Sequence, residues 1–308
     1  MKQPKIITTL FNKPYLFRRL TTLNIEEFNL LAAKLEPEWK QREYERLLAR
    51  PNRKNKPGQG RKYELGSFAN LLLVIIIYLR TTIGSELLSL LFDIDQSTIK
   101  RIVRRVMPLL TDRFIPKTEL TKKKRRTNNL DEFLKDYPEL KDVIFDGTDV
   151  NIKRPQKRQK QSYSGKRKRH TKKTIIALHK QTKLITGVSP PKKGTVHDKK
   201  QLEATGWNDK LSTEVNRHGD LGFYGMSEDN WIIPNKKPKG KDLTEKQRRQ
   251  NRNRARDRMP VEHSIRGVKM FRRIGELVTI KSDDFLYNVL LASANLYNFK
   301  RLVRQGIY

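Results

Sequence analysis

Apolar residues recur at helical spacing through the first third of the chain. We predict helix within residues 1–48, where the spaced apolar positions are Ile25, Phe28, Leu31, Ala32 and Leu35. Residues 63–110 form a second helical stretch, for which we predict three helices, over 65–80, over 83–92 and from 96 onwards. The first of these helices holds the most apolar run of the chain, so we expect it to form the core of this unit.

From residue 142 onwards, short apolar runs bounded by glycine, proline and polar residues indicate strands. We predict strands over 142–152, 171–179, 183–188 and 231–234, with a further one ending at Gly219-Asp220. Helices are expected from His197-Asp198 to about Thr205 and over 243–255, 260–272 and 283–303. Pro260 is placed at a helix start, because proline is tolerated in the first turn. Strands followed by alternating strands and helices favour an α/β domain with a mixed sheet.

The chain is divided on this basis into four segments. Residues 1–62 are a helical segment that ends in a basic linker over 50–62, which either follows a phosphate backbone or is a solvated hinge. Residues 63–115 are the small all-α unit, and residues 116–140 are a second basic linker with a short helix over 130–137. Residues 141–308 are the α/β domain.

The last two helices of the all-α unit are short and are joined by a tight turn at residues 93–95. The second opens with polar residues and continues with Lys and Arg, which fits a helix-turn-helix; a plain helical hairpin is the alternative. Ile99, Ile102, Val103 and Val106 are expected to pack inward. The residues expected to face DNA are Gln96, Ser97, Lys100, Arg101 and Arg104.

Charge makes nucleic acid the leading partner. The 308 residues include 67 Lys and Arg against 33 Asp and Glu, a formal net charge of +34. Such an excess destabilises a compact chain unless a polyanion balances it. There is no cysteine, which excludes disulfides, thiolate zinc sites and a cysteine nucleophile. The N-terminal apolar segment is too short for a signal peptide and the most apolar run, residues 71–78, is too short for a bilayer, so we expect a soluble intracellular protein without a membrane partner.

Three acids stand at element boundaries in basic or glycine-rich surroundings. Asp146 follows the apolar run 143–145, at the point where we expect the strand to meet irregular chain, and a long cationic run without acids follows Asp149. Asp220 lies between glycines, and Glu262 lies beside the buried stripe of a helix. Each has an ordinary interpretation, as a solvated strand-end acid, a turn aspartate and half of a surface pair with Arg266. Taken separately, none of them would be assigned to catalysis.

Taken together, the motifs around these acids resemble a known family. Three of them read Asp146-Gly-Thr-Asp149, Gly219-Asp220-Leu-Gly-Phe-Tyr-Gly225 and Arg258-Met-Pro-Val-Glu262-His263, and residues 163–173, 194–198 and 234–237 supply the others in the same order. The pattern is similar to that of the DDE transposases of bacterial insertion sequences, in the insertion-sequence-five superfamily, whose domain is shared with Harbinger-type endonucleases. Residues 63–110 similarly resemble the helix-turn-helix that precedes that domain, and the likeness covers about residues 25–300.

The resemblance implies an RNase H-like fold in which two Asp and one Glu hold two divalent ions, Mg²⁺ or Mn²⁺. Carried over by motif, the catalytic and metal-binding residues are Asp146, Asp220 and Glu262. The chain departs from the family at Leu221, where a lysine is usual, and at Asp149, where a glutamate is common. Carboxylate oxygens are the ligands that Mg²⁺ prefers, and two such ions suit phosphodiester chemistry, so the residues agree with the resemblance.

Other residues within the motifs are assigned supporting or DNA-binding roles. Lys166, Arg167, Lys168 and Arg169 are interpreted as phosphate contacts, with His170 beside them. His197 and His263 either position phosphate, support a metal ligand or make structural hydrogen bonds. Asp149, Arg266 and Lys269 are expected to support the three acids, and Asp198 either supports them or begins a helix.

The predicted function is that of a DNA transposase that acts by cut and paste. Its partner is double-stranded DNA, as the terminal inverted repeats of its element and as target DNA, and a homodimer is compatible with the sequence. We expect it at the nucleoid in the cytoplasm of a prokaryote. The alternatives are a nuclease derived from a transposase, without strand transfer, and a domesticated DNA-binding protein.

Overall fold

The structure is a computed structural model that describes residues 4–50, 56, 59, 63–111, 142–157, 159–211, 215–226, 230–276, 280 and 282–306. The described residues divide into two compact units. The first comprises the chain up to Thr111 together with Met270–Arg273 and the residues from Leu302 onwards, and the second comprises the rest. Most of the predicted linker 50–62, and all of residues 116–140, lie outside the described residues.

The first unit contains six helices among its described residues. They are α1 (Lys5–Asn12), α2 (Pro14–Thr21), α3 (Ile25–Leu48), α4 (Phe68–Arg80), α5 (Ser85–Phe92) and α6 (Gln96–Thr111). A capping box begins α3, because the Asn24 side chain accepts from the Glu27 N–H while the Glu27 carboxylate accepts from the Asn24 N–H. Helix α4 is buried along nearly its whole length, as the apolar run predicted.

Helices α5 and α6 form the predicted helix-turn-helix arrangement. Asp93 ends α5 in the left-handed conformation, with φ 51°, and the Ile94 N–H donates back to the Ser89 carbonyl. The four apolar positions predicted to pack inward on α6 are all buried. The turn between α5 and α6 therefore sets the direction of α6, so that the apolar stripe of α6 packs into the unit.

The second unit is built on a mixed sheet, which confirms the predicted fold class of an RNase H-like domain with flanking helices. Its strands are β1 (Asp142–Asn151), β2 (Tyr163–Ser164), β3 (Arg169–His179), β4 (Ile185–Val188), β5 (Lys192–Lys193), β6 (Asn216–His218) and β7 (Trp231–Ile232). The order is β2-β3-β1-β6-β7, and β4 and β5 also pair with β3. Strands β1 and β3 are antiparallel, whereas β1, β6 and β7 run parallel.

The helices of the second unit are α7 (Asp198–Glu203), α8 (Trp207–Lys210), α9 (Glu245–Lys269), α10 (Arg272–Gly275) and α11 (Asp283–Arg304), of which α10 and α11 cross the boundary between the units.

Two helices were predicted over 243–255 and 260–272, and this prediction is wrong. Helix α9 continues through Pro260, which lies in its interior. An interior proline removes one backbone hydrogen bond and costs about 3 kcal/mol, but Val261, Ser264, Ile265 and Val268 are all buried beyond it. Tertiary packing of that face therefore outweighs the local penalty. No helix of the described residues is both long and apolar enough to cross a bilayer.

Aromatic residues form the core on one face of the sheet. Phe145 packs against Trp207 and Trp231, with ring centroids 6.4 and 5.6 Å apart, and Phe223 stacks on Trp231 at 5.4 Å. Val143, Ile175 and Ala177 join this cluster from β1 and β3. Side chains alternate along a strand, so Asp146 points to the face opposite Phe145.

Phe145→Ala should destabilise the second unit by about 3–5 kcal/mol, because it empties the centre of this aromatic cluster. Urea unfolding followed by circular dichroism would measure the change. Leu221→Ala is the control, since Leu221 is exposed and should change stability by no more than about 0.5 kcal/mol. Equal destabilisation of both variants would contradict the assignment of Phe145 to the core.

Candidate active site

The three predicted acids line one cavity of about 700 Å³ within the second unit. Asp149 and Asp198 also line it. The basic residues of its wall are Lys166, Arg167, Lys173, Arg258, Arg266 and Lys269. Lys166, Arg167 and Arg266 are exposed and form a basic rim, whereas Lys173, Arg258 and Lys269 lie deeper in the cavity.

The parallel pairing of β1 and β6 sets two of the acids side by side. The last paired residues are Ile144 and His218. Asp146 and Asp220 each lie two residues beyond that pair, so the same register brings them to one level, on strands about 4.8 Å apart. Glu262 comes from α9, on which Arg258 lies one turn earlier, 3.9 Å from the Glu262 carboxylate. Three separate elements thus deliver the three carboxylates.

Asp146 does not lie where the strand meets irregular chain, and that prediction is wrong. Strand β1 continues to Asn151, paired with β3 throughout, and Asp146 faces Ile176 near its middle. The antiparallel hairpin with β3 keeps β1 regular after its pairing with β6 has ended. Asp146 is consequently held by a paired backbone, which fixes its direction better than a loop would.

Asp198 stands between the strand of Asp146 and the turn of Asp220. A Cβ added to Gly147 would lie 2.7 Å from Asp198 Oδ1, and one added to Gly222 would lie 2.7 Å from both Asp198 Oδ2 and Asp220 Oδ1. Two glycines therefore make room for this carboxylate. The Lys173 ammonium lies 2.8 Å from Asp198 Oδ1 and also donates to the Val196 carbonyl.

Asp220 is part of a turn as well as of the cavity. Its Oδ1 accepts the Gly222 N–H at 2.7 Å and begins the short 3₁₀ turn Leu221–Phe223. Leu221, where the family has a lysine, is exposed. The turn bond orients the Asp220 carboxylate beside Asp198, so a structural and a functional role are compatible here.

Burial and like charge act together on Asp146. Burial, then the charge of Asp220, raise the pKa of Asp146, and Glu262 and Asp198 raise it further, while Arg258 lowers it; the result is a pKa of about 7. Lys269 shows the opposite response: burial and the nearby Arg167 lower its pKa, although Asp149 and Asp146 raise it. The Lys269 ammonium donates to the Asp149 carbonyl at 2.8 Å.

A divalent metal fits this site by donor chemistry and by charge. The acids offer hard oxygen ligands. The charges of Asp220, Glu262 and Asp198 add to burial in raising the pKa of Asp146, and a cation bound beside them would act in the opposite direction. In their present positions, no group of three or more His, Asp or Glu side chains in the described part of the chain is arranged to hold an ion. These carboxylates share a cavity but do not converge on one point.

Several other predicted residues do not reach the cavity. Lys168, Arg169, His197 and His263 are exposed and are not part of its wall. His170 lies on β3, where its ring contacts the Ser162 hydroxyl at 3.2 Å and the edge of Tyr163. The cavity brings together Lys166, Arg167, Arg266 and Lys269 from the predicted set.

Lys173 and Arg258 line the cavity but had no predicted role. Lys173 faces Asp149 across the β1–β3 pair, and a strand register aligned on the two predicted strands could have indicated it. Arg258 precedes Glu262 by one helical turn. Because a helix start was predicted at Pro260, Arg258 was not expected to lie on the same helix as Glu262.

The helix-turn-helix residues divide into two groups. Ser97, Lys100, Arg101 and Arg104 are exposed or half-buried along α6. The Gln96 side chain instead donates to the Ser85 hydroxyl and to the Glu86 carboxylate within the unit. A DNA contact by any of the five stays a prediction.

In metal-free protein, Asp146→Asn should stabilise the fold at alkaline pH. The folded Asp146 has a pKa of about 7 against an ordinary value of 3.8, so the folded state binds more protons and the free energy of unfolding falls as pH rises between these values. The asparagine variant escapes that decrease, which amounts to about 4 kcal/mol at most. Melting temperatures in EDTA at pH 5 and pH 8 would measure it.

Asp142→Asn provides the control of opposite sign on the same strand. Burial would raise the pKa of Asp142, but the hydrogen bond and charge of His218, with Lys180 and Asn216, lower it overall. Asp142 therefore contributes stability at neutral pH that is lost on acidification, and its asparagine variant should melt lower at pH 8. A lower melting temperature for Asp146→Asn at pH 8 would contradict the proposed repulsion.

Comparison with known proteins identifies the family of the chain. The family model described as "DDE superfamily endonuclease" matches residues 145–298, and "Helix-turn-helix of DDE superfamily endonuclease" matches residues 63–116. A probable transposase for insertion sequence element IS702 from Microchaete diplosiphon is 28% identical over 257 residues, which cover 83% of each chain. No solved structure gives a significant match. The chain belongs to the DDE superfamily of transposases and endonucleases and carries that family's helix-turn-helix.

Proposed function

We propose that this protein is a metal-dependent DNA transposase that cuts at the ends of its own insertion sequence and joins them to target DNA. The observation that carries the proposal is the meeting of Asp146, Asp220 and Glu262, from three separate elements, in one cavity with a basic rim. We assign these three residues as the catalytic acids and the metal ligands.

Two Mg²⁺ or Mn²⁺ ions, when bound, would neutralise charge on the attacking and leaving oxygens of the phosphodiester. The chain's own contribution is to aim the carboxylates and to limit the rise in the pKa of Asp146. Arg258 acts in this direction, because its charge lowers the pKa of Asp146 against the other influences. The paired backbone of β1 and the turn bond of Asp220 hold two of the three ligands in place.

The rim would hold the DNA phosphates. Lys166 and Arg167 are exposed at the cavity, and Arg266 projects from the helix that carries Glu262. Cations at the rim would offset the repulsion between a bound phosphate and the carboxylates that line the cavity. Lys168, Arg169, His170, His197 and His263 lie outside this wall, and we assign them to DNA further from the cut or to structure.

The helix-turn-helix would bring the enzyme to the terminal inverted repeats. Ser97, Lys100, Arg101 and Arg104 lie on the second helix, the one that enters the major groove in such motifs. Cleavage would place a water oxygen on phosphorus and release a 3′-hydroxyl. That hydroxyl would then attack a target phosphodiester and displace a target 3′-oxygen, which is strand transfer.

Asp198 is proposed to position the catalytic acids from the gap between Gly147 and Gly222. Gly147→Ala should push the Asp198 carboxylate aside and lower the cleavage rate by about 10–100-fold, because support for ligands is worth that much. Gly165→Ala is the matched control at the same cavity, since a Cβ there meets nothing within 4 Å. Equal melting temperatures would show that the fold is kept, and full activity of Gly147→Ala would rule out the role of Asp198.

The decisive test is substitution of the acids with a matched surface control. Asp146→Asn, Asp220→Asn and Glu262→Gln should each reduce Mg²⁺-dependent nicking of DNA that carries the element's end at least about a hundredfold, since each removes a metal ligand. Binding measured by gel shift should change little. Glu203→Gln is the control, because Glu203 and Glu262 are 48% and 47% exposed and each pairs with a basic residue one turn away.

Loss of activity in Glu203→Gln as well would indicate general damage and would remove support for the assignment. Normal nicking by Glu262→Gln would exclude Glu262 as a ligand. Incubation of pre-cut ends with a supercoiled target separates the functions, since a transposase joins them and a nuclease without strand transfer does not.

A further inference from the structure

The two longest described helices, α3 and α9, differ in how their basic residues are paired. On α3, basic residues pair with acids of the same helix: Lys40 lies 3.0 Å from Glu36, Arg42 2.6 Å from Glu38 and Arg46 2.8 Å from Glu43. Between residues 246 and 256 of α9 there is no acid at all. Arg248, Arg249, Arg252 and Arg256 form no ion pair within the described part of the chain.

The opposite face of this part of α9 is anchored to the domain. Arg254 donates to the Ile233 carbonyl at 2.7 Å. Asn251 accepts the Asn235 N–H and donates to the Asn235 carbonyl, while Gln250 accepts from the Asn235 amide. The helix is thus held on one side by specific hydrogen bonds. Its other side presents the four arginines, all exposed, on a support that is already in place.

We propose that these four arginines, which we name the arginine face, bind the backbone of duplex DNA on one side of the cut. The inference rests on the proposed function, because it takes the Glu262 end of the same helix as the place of cleavage. Helix α9 runs from the arginine face directly to Arg258 and Glu262 at the cavity. A duplex whose phosphodiester enters the cavity and continues along the helix would meet these side chains next.

Charge spacing and composition favour a duplex. Arg248 and Arg256 are eight residues apart on α9, or about 12 Å at 1.5 Å per residue. Double-stranded DNA carries one charge per about 1.7 Å of axis, so it offers enough phosphates for all four arginines. Residues 245–266 include no aromatic residue. Proteins that hold single strands commonly stack bases on aromatic rings, which this face does not provide.

The test compares two double variants that remove the same charge. Arg252→Gln with Arg256→Gln removes half of the arginine face, whereas Lys40→Gln with Arg42→Gln removes two basic residues that already have acidic partners. Binding to a random-sequence duplex oligonucleotide is measured in EDTA over a range of salt concentrations, so that no cleavage is needed. A single strand of the same length is measured in parallel.

The α9 variant should lower the salt dependence, the slope of log K against log salt, by about 2, since each phosphate that an arginine neutralises contributes about 0.9. Its affinity at about 0.1 M salt should then fall roughly eightfold for each phosphate that is no longer neutralised. The α3 variant should bind as the parent does. Hydroxyl-radical footprints on end-containing DNA should show weaker protection on one side of the nick only.

Unchanged slopes in the α9 variant, an equal decrease in both variants or an equal decrease on single-stranded DNA would each overturn the proposal. The outcome is separate from that of the proposed function. If Glu262→Gln nicks normally while the arginine face controls duplex binding, the catalytic assignment fails and the DNA surface stands. If Glu262→Gln is inactive while the slopes are unchanged, the reverse holds.

Discussion

Burial of a carboxylate beside other carboxylates is the constraint on which the second unit depends. Asp146 is the point where it is greatest, because burial and the charges of Asp220, Glu262 and Asp198 act on it together. A sequence selected for stability alone would not gather acids in this way, since neutral residues of the same size would remove the cost. Under the proposed function, a bound cation, and through it a polyanion, would offset this cost.

Three of the acids in the cavity are each held in place by a different local interaction. A paired strand fixes Asp146, a side-chain bond to its own turn fixes Asp220, and an ammonium 2.8 Å away holds Asp198. Each device stabilises one carboxylate without neutralising the whole group. Rigid supports of this kind keep like charges close, where free side chains would turn away from each other.

Apolar runs and glycine-rich turns predicted an α/β domain and most strands, because they leave strong local signals. The three acids that share the cavity were grouped only through the resemblance of their motifs to a known family. Two features could not be obtained in that way. Helix α9 passes through Pro260 since burial of residues around Ile265 outweighs a local penalty, and such tertiary gains are invisible to propensity rules. The position of the Asp198 carboxylate beside Gly147 depends on how α7 packs near β1. The spacing of residues along the chain does not encode that packing.

The large net charge is easier to understand when the pairing of basic residues on α3 is compared with that on α9. Lys40, Arg42 and Arg46 on α3 are paired with acids of the same helix, so these charges serve stability and solvation. Charge on the arginine face of α9 is left unbalanced, although that helix is anchored through Arg254 and Asn251. Cations without acidic partners on a fixed support raise the energy of the free protein and lower that of a complex with a polyanion. The same argument applies to the carboxylates at the other end of α9, with the sign of the charge reversed. Each cluster is unfavourable alone, and the proposed DNA and metal ions would relieve both.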